Sequence, residues 1–299
     1  MIETFLSSWP LFHNTYLAGW FIGLLLSFIG VLVVARDQIF IGAAVSQAST
    51  FGIALAMWLG AGATAAHLKI GPGAQDYGAH LSWLLSDEFL SAMAVLFSVI
   101  AALITTRGGE TGGESHEAIT GWVFLVSASL AVLVVSHSPH GLEEIHRLVA
   151  SSIIGATGID AATFGILAGV TALSVWFLRR PILLFAMDPL MAQTVGIKTP
   201  LWSVATSVWL GLAVGLSIRS SGMLYTFGCL VLPPLIAKNL CREIGPMFWV
   251  SPMVAVTTGV AGFAIANHYD YPPGQMTVAL LSLLLTAAWL LRRRRGRKR

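Results

Sequence analysis

Imidazole and carboxylate side chains crowd into one short stretch, His137-Ser-Pro-His140-Gly-Leu-Glu143-Glu144-Ile-His146. Such groups are the common ligands of zinc and other first-row divalent metals. His140 and His146 stand six positions apart, which does not set them on one helical face. The stretch therefore reads either as an ordinary polar loop or as an outer collecting point for metal ions built from His137, His140, Glu143, Glu144 and His146. A second group lies inside the apolar run 36–60, where Ser46, Gln47, Ser49 and Thr50 fall within five positions. A polar group in hydrocarbon is costly unless it finds a partner or lines a wet cavity. At helical spacing Ser46, Ser49 and Thr50 share one side, with Gln47 beside them. They are either glue between helices or part of a translocation path.

Catalytic constellations do not emerge. No GxxxxGK[ST] phosphate loop occurs, so the chain is not expected to bind or hydrolyse ATP itself. His116-Glu117 opens like a zinc-protease helix, but position 120 is Thr, and HExxH fails. A GxSxG nucleophile elbow is not evident either. Cys229 and Cys241 belong to no CxxC pair and cannot make a disulfide framework. No resident cofactor is expected.

The elements that would carry these residues are membrane spans. Hydrophobic residues make up 56% of the 299 and charged ones only 10%, against about 25% charged in soluble domains. Mean hydropathy is +0.79. Crossing a bilayer takes roughly 20 apolar residues as a helix. Nine such runs are predicted, at about 16–35, 41–61, 89–106, 118–137, 159–178, 201–218, 223–237, 247–266 and 275–291. The expected fold is all-α, with about nine (eight to ten) transmembrane helices in one permease domain over 1–299. Residues 149–160 are apolar enough to enter the membrane partway, and 61–88 could form an interfacial helix or a docking surface. The first residues lack a basic n-region, so a cleaved signal peptide is not expected.

Lys and Arg positions set the expected orientation. Seven of the seventeen basic residues lie in 292–299, read as a cytoplasmic tail rather than a nucleic-acid site. With that tail inside, Arg36, Arg107, Arg179, Arg180, Lys198, Lys238 and Arg242 also fall inside, and only Lys69, Arg147 and Arg219 outside. The N-terminus is then outside and the C-terminus cytoplasmic. Every histidine but His116 lies on the outer side. Glycine pairs four apart (Gly19/Gly23, Gly165/Gly169, Gly211/Gly215) would let helices pack closely. Pro233 and Pro234 remove two backbone donors and should kink the 223–237 span, a feature tolerated where a helix lines a cavity.

Four stretches, in order and spanning nearly the whole chain, resemble the membrane permeases of the zinc/manganese/chelated-iron ABC importer family. Gly42-Ala43-Ala44-Val45-Ser46-Gln47-Ala48 is similar to the family's Gly-Asp-Ala-x-Ser-His-Ala. Phe185-Ala-Met-Asp188-Pro189-Leu-Met-Ala192-Gln-Thr-Val-Gly196-Ile197 resembles its Asp-Pro-x-x-Ala-x-x-x-Gly segment. Ser221-Gly222-Met-Leu224 through Leu230-Val-Leu232-Pro233-Pro234-Leu-Ile-Ala237 gives a third match. His268-Tyr269-Asp270-Tyr271-Pro272-Pro273-Gly274 looks like the family's outer loop.

The resemblance implies a transmembrane subunit of an ABC importer in the plasma membrane. Its partners would be a separate ATPase subunit, an extracytoplasmic substrate-binding protein and a second permease copy, identical or paralogous. It implies a cytoplasmic coupling helix within 181–199, with Asp188, Pro189, Ala192 and Gly196, and a path along Ser46, Gln47, Ser49 and Thr50. The cargo would be a divalent metal ion (zinc, manganese or iron), free or as a chelate. One departure stands out. The family's Asp and His four residues apart, thought to contact metal, are here Ala43 and Gln47, which offer no ligand and a neutral oxygen. The alternative is a self-sufficient secondary transporter, which needs ionisable residues buried within spans; Asp160 is the nearest.

Overall fold

In hydrocarbon every backbone N–H and C=O must be satisfied within the chain, and a helix does so segment by segment. The computed structural model of the chain describes residues 2–68, 83, 86–111, 115–136 and 153–296. Ten α-helices stand in these residues and no strand: α1 Ile2–Ala35, α2 Ile41–Leu68, α3 Asp87–Thr111, α4 His116–Ser136, α5 Gly158–Phe177, α6 Arg179–Met187, α7 Pro189–Thr194, α8 Thr199–Leu240, α9 Ile244–Tyr269 and α10 Pro273–Gly296. Eight of them are long and apolar enough to cross a membrane.

The predicted nine spans and the eight observed differ at α8. It runs for 42 residues, twice what a span needs, but Gly222 interrupts it with φ 80° and ψ 165°. That conformation is open to glycine and strained for any residue with a Cβ. At 1.5 Å per residue the sides 199–221 and 223–240 run about 34 Å and about 27 Å, both within the usual range of span lengths. So 201–218 and 223–237 are two helical segments that meet end to end at this glycine, with no loop between them. Glycine, not proline, makes the break: Pro233 and Pro234 are buried within helix, and Gly222 is the non-helical residue of α8.

Contacts divide the chain into two units. The first comprises 1–42, 151–203 and 220–299; the second comprises 43–150 and 204–219. In the first, α1 packs on α5 and α9, and α9 on α10. Pro234 has no N–H for the Leu230 carbonyl, and that oxygen points at Gly30 of α1, where a Cβ would sit. Tyr225 donates its hydroxyl to the Gly19 carbonyl at 2.8 Å, and Ser251 to the Ser27 carbonyl at 3.2 Å. Residues 149–160, expected to enter partway, contribute the short turn Ile153–Gly155, with Ile153 buried and the Thr15 hydroxyl bonded to the Ile154 carbonyl.

The second unit is built on small residues. A methyl group on Gly211 would meet Val99 Cα at 2.6 Å, and one on Gly215 would meet Val95 Cα at 2.8 Å. The first segment of α8 thus lies backbone to backbone on α3. Ser98 donates to the Gly211 carbonyl at 2.6 Å, and the Thr106 and Ser207 hydroxyls bond at 2.6 Å. Gly169, by contrast, has nothing within 4 Å. Of the three glycine pairs, the 211/215 pair carries the tightest backbone approach.

Candidate functional site

Hydroxyls inside a span usually bond the carbonyl one turn back. Thr105, Thr106, Thr171, Ser217, Thr226 and Thr277 all do so, at 2.7–2.9 Å. On α2, Thr50 follows the habit, donating to the Ser46 carbonyl at 3.1 Å. Ser46 and Ser49 do not. Both are buried, at 1% and 0% exposure, and neither hydroxyl has a hydrogen-bond partner. Two unsatisfied buried hydroxyls one turn apart stand out, because buried polar groups are normally paired. Ala43 and Gln47 are half-buried and share the more open face of the same helix.

The segment 181–199 forms a second candidate site. Asp188 leaves α6 in an extended conformation and its carboxylate accepts from the Met191 amide at 2.9 Å, capping α7. Pro189 follows at the first helical position, where a missing N–H costs nothing. At the far end Gly196 takes φ 88°, while the Ile197 amide bonds the Ala192 carbonyl at 2.9 Å and the Gly196 amide bonds the Gln193 carbonyl at 3.0 Å. That is a Schellman closure. Ala192 is fully buried and holds α7 down. Gln193 donates to the Thr199 hydroxyl at 2.6 Å and ties α7 to the start of α8.

Sequence reasoning named Asp188, Pro189, Ala192 and Gly196 here and missed the exposed apolar residues. Met187, Leu190, Met191 and Val195 are exposed at 68%, 74%, 56% and 65%. The signal was present: four apolar side chains on and beside a short helix, Met187 ending α6 and Val195 capping α7, in a segment flanked by Arg179, Arg180 and Lys198. Exposed apolar surface rimmed by charge marks a contact site.

His137, His140, Glu143, Glu144 and His146 lie outside the described residues. Among the described residues no three His, Cys, Asp or Glu side chains converge as a metal site would require. Asp160 is a capping-box residue of α5: its carboxylate accepts from the Thr157 amide and hydroxyl, both at 2.8 Å, and the Thr157 hydroxyl accepts from the Asp160 amide. A cap explains it without a proton relay. In the stretch 61–88, Trp83 packs on Phe89 with centroids 5.0 Å apart, and Asp87 opens α3. Asp87 pairs with Arg219 at 2.6 Å, and Arg219 also donates to the Ser91 hydroxyl. This clamp, at the last residue before α8 passes from one unit to the other, was not apparent in the sequence. Lys238 pairs with Asp37 at 2.8 Å, Arg36 lies over the Phe185 ring, and burial raises the Cys241 thiol above its usual pKa.

An all-helical chain with span-length apolar helices, a broken helix and a capped external helix has the build of a membrane permease. The profile of the ABC 3 transport family matches residues 8–292, and the chain belongs to that family. It is a multi-pass integral membrane protein of the plasma membrane. It is 25% identical over 175 residues to the manganese transport system membrane protein MntB of Synechocystis sp., covering 58% of this chain and 57% of that protein. It is 22% identical over 281 residues to the chelated iron transport system membrane protein YfeD of Yersinia pestis, covering 94% and 85%. Its fold is that of PsaBC from Streptococcus pneumoniae, solved in complex with Fab, with TM-score 0.75, 18% identity and coverage of 97% and 95%.

Proposed function

We propose that the chain is the membrane-spanning subunit of an importer whose power comes from a separate ATPase. Two permease copies, identical or paralogous, would enclose a path, with ATPase chains on the side of α7 and a substrate-binding protein on the other. The observation that carries this reading is α7: a helix closed at both ends, rooted by Ala192, presenting Leu190, Met191 and Val195 outward. Such a knob fits an apolar socket on a partner and has no use in water. ATP-driven closure of the partner would push α7, and the Gln193–Thr199 bond would pass the push into α8.

The cargo that fits best is a divalent first-row metal ion, free or chelated, as the relatives' names indicate for those proteins. Ala43 and Gln47 supply no strong ligand, so a bare, desolvated ion coordinated at this turn is disfavoured. Passage with part of its water shell, or as a chelate, suits the neutral amide of Gln47 on the half-open face of α2. Gln47→His together with Ala43→Asp should alter the metal preference of uptake strongly; unchanged uptake of every metal would remove α2 from the path. The partner reading is tested by copurification. Wild type should retain an ATPase chain in detergent, and Leu190→Asp/Met191→Asp should lose it while inserting normally. Equal retention by both would overturn the docking role of α7.

A further inference from the structure

At the end of α5 the chain turns into α6, and the first turns of α9 run alongside. Between them, within the first unit, lies a groove of about 600 Å³, within the size range of small-ligand clefts. Its walls are apolar, with Val175, Leu183 and Phe248 along its length. Trp176 and Trp249 meet edge to face at its rim, centroids 5.6 Å apart, and both rings are more than half exposed. Paired tryptophans of this kind belong at the headgroup level of a bilayer. Arg179 and Arg180 complete the lining and are its only charged members among the described residues. Both are exposed, and neither forms an ion pair among the described residues.

We infer that this groove is a binding site for an anionic phospholipid. The phosphodiester would take charge-assisted hydrogen bonds from Arg179 and Arg180, and the acyl chains would run past the tryptophans over Val175 and Phe248. Charge complementarity selects an anion, and the apolar walls select one that carries hydrocarbon. Inorganic phosphate shares the first feature and not the second. The neighbouring α6 and α7 make the site a place where lipid composition can act on partner docking.

Brominated acyl chains quench tryptophan on contact, so the part of the quenching that is lost on replacing Trp176 and Trp249 reports occupancy of the groove. Full-length protein in zwitterionic detergent would be titrated with brominated phosphatidylglycerol or brominated phosphatidylcholine. Phosphatidylglycerol should quench at a lower concentration, and Trp176→Phe/Trp249→Phe should abolish that difference. Arg179→Gln/Arg180→Gln should need about tenfold more phosphatidylglycerol, the loss expected for charged hydrogen bonds. Arg179→Lys/Arg180→Lys, which keeps the charge and guards against misfolding, should retain most of the preference. Identical curves for the two lipids on wild type would overturn the proposal. So would displacement of the lipid signal by inorganic phosphate alone, which marks a free-anion site. A preference that vanishes only when the ATPase or a second copy is bound would also overturn it, because the groove would then be a protein interface.

Discussion

At the scale of single residues, Asp188 and Gly196 are the two ends of one small device. The Asp188 carboxylate holds the Met191 amide, and replacing such a cap with Ala typically costs about 1 kcal/mol. Asp188→Ala should therefore fray α7 and reduce ATPase capture, whereas Asp188→Asn, which caps equally well, should keep both. Loss with Asn would mean that the charge itself contacts the partner. A Cβ on Gly196 meets nothing within 4 Å, so Gly196→Ala acts through the backbone alone at φ 88°. Roughly 1 kcal/mol of strain is expected there. Thermal unfolding of the purified protein should show a small downward shift and uptake a larger relative loss. The opening of this device was legible in the sequence, because Asp-Pro starts a helix whatever surrounds it, whereas Gly196 was named there only within the family-like segment. The orphaned hydroxyls of Ser46 and Ser49 were not legible, since Thr50 beside them looks the same in sequence and is satisfied.

At the scale of elements, α8 departs furthest from expectation. Two prolines invite a kink, and the helix runs through them; Gly222, named in the sequence only within the family-like stretch from Ser221, carries the break. The reason lies in what faces each carbonyl. Leu230, left without its donor, lies against Gly30, so α1 covers the gap the proline opens. Gly30→Ala should then be severe. Its methyl would collide with a backbone oxygen that cannot rotate away, and overpacking of this kind costs about 1–3 kcal/mol. Loss of monodisperse protein or a marked fall in melting temperature would be observed, while Gly169→Ala, open on all sides, should be silent. At Gly222 the change to Ala asks a Cβ to occupy φ 80° and ψ 165°, again about 1–3 kcal/mol. Arg219 on one side is clamped to Asp87 and Tyr225 on the other to Gly19. Strain at this glycine is therefore held, and Gly222→Ala should slow transport more than Gly169→Ala, whose added methyl meets nothing within 4 Å.

For the molecule as a whole, the spans were readable because apolar length is the dominant signal in a bilayer. Their partition between two units was not. Gly165/Gly169 and Gly211/Gly215 are alike as patterns, and only the second pair meets a facing backbone. The charge bias that sets the expected orientation can be tested with the two native thiols. Cys229 is buried in α8, and Cys241 is partly accessible just beyond it, its pKa raised by burial. A membrane-impermeant maleimide should label Cys241 in inside-out vesicles and leave intact cells unlabelled. The thiolate is the reactive form, so labelling should be slow at neutral pH and speed up as pH rises through the elevated pKa. Labelling from the outside would invert the topology.

The division into two units also dictates an order of assembly during synthesis. The second unit receives α2, α3 and α4 early, yet it is closed only by 204–219. The first receives α1 at the outset and 151–203 later, and then waits for everything from residue 220 onward. Neither can be completed until α8 has left the ribosome, and α8 serves both, residues 204–219 belonging to the second and those from 220 onward to the first. Until then the Gly30 face of α1 and the Val95–Val99 face of α3 lack the partners they were cut to fit. The nascent chain is thus committed to the membrane well before it is committed to its fold, and a chaperone or protease has that interval in which to act.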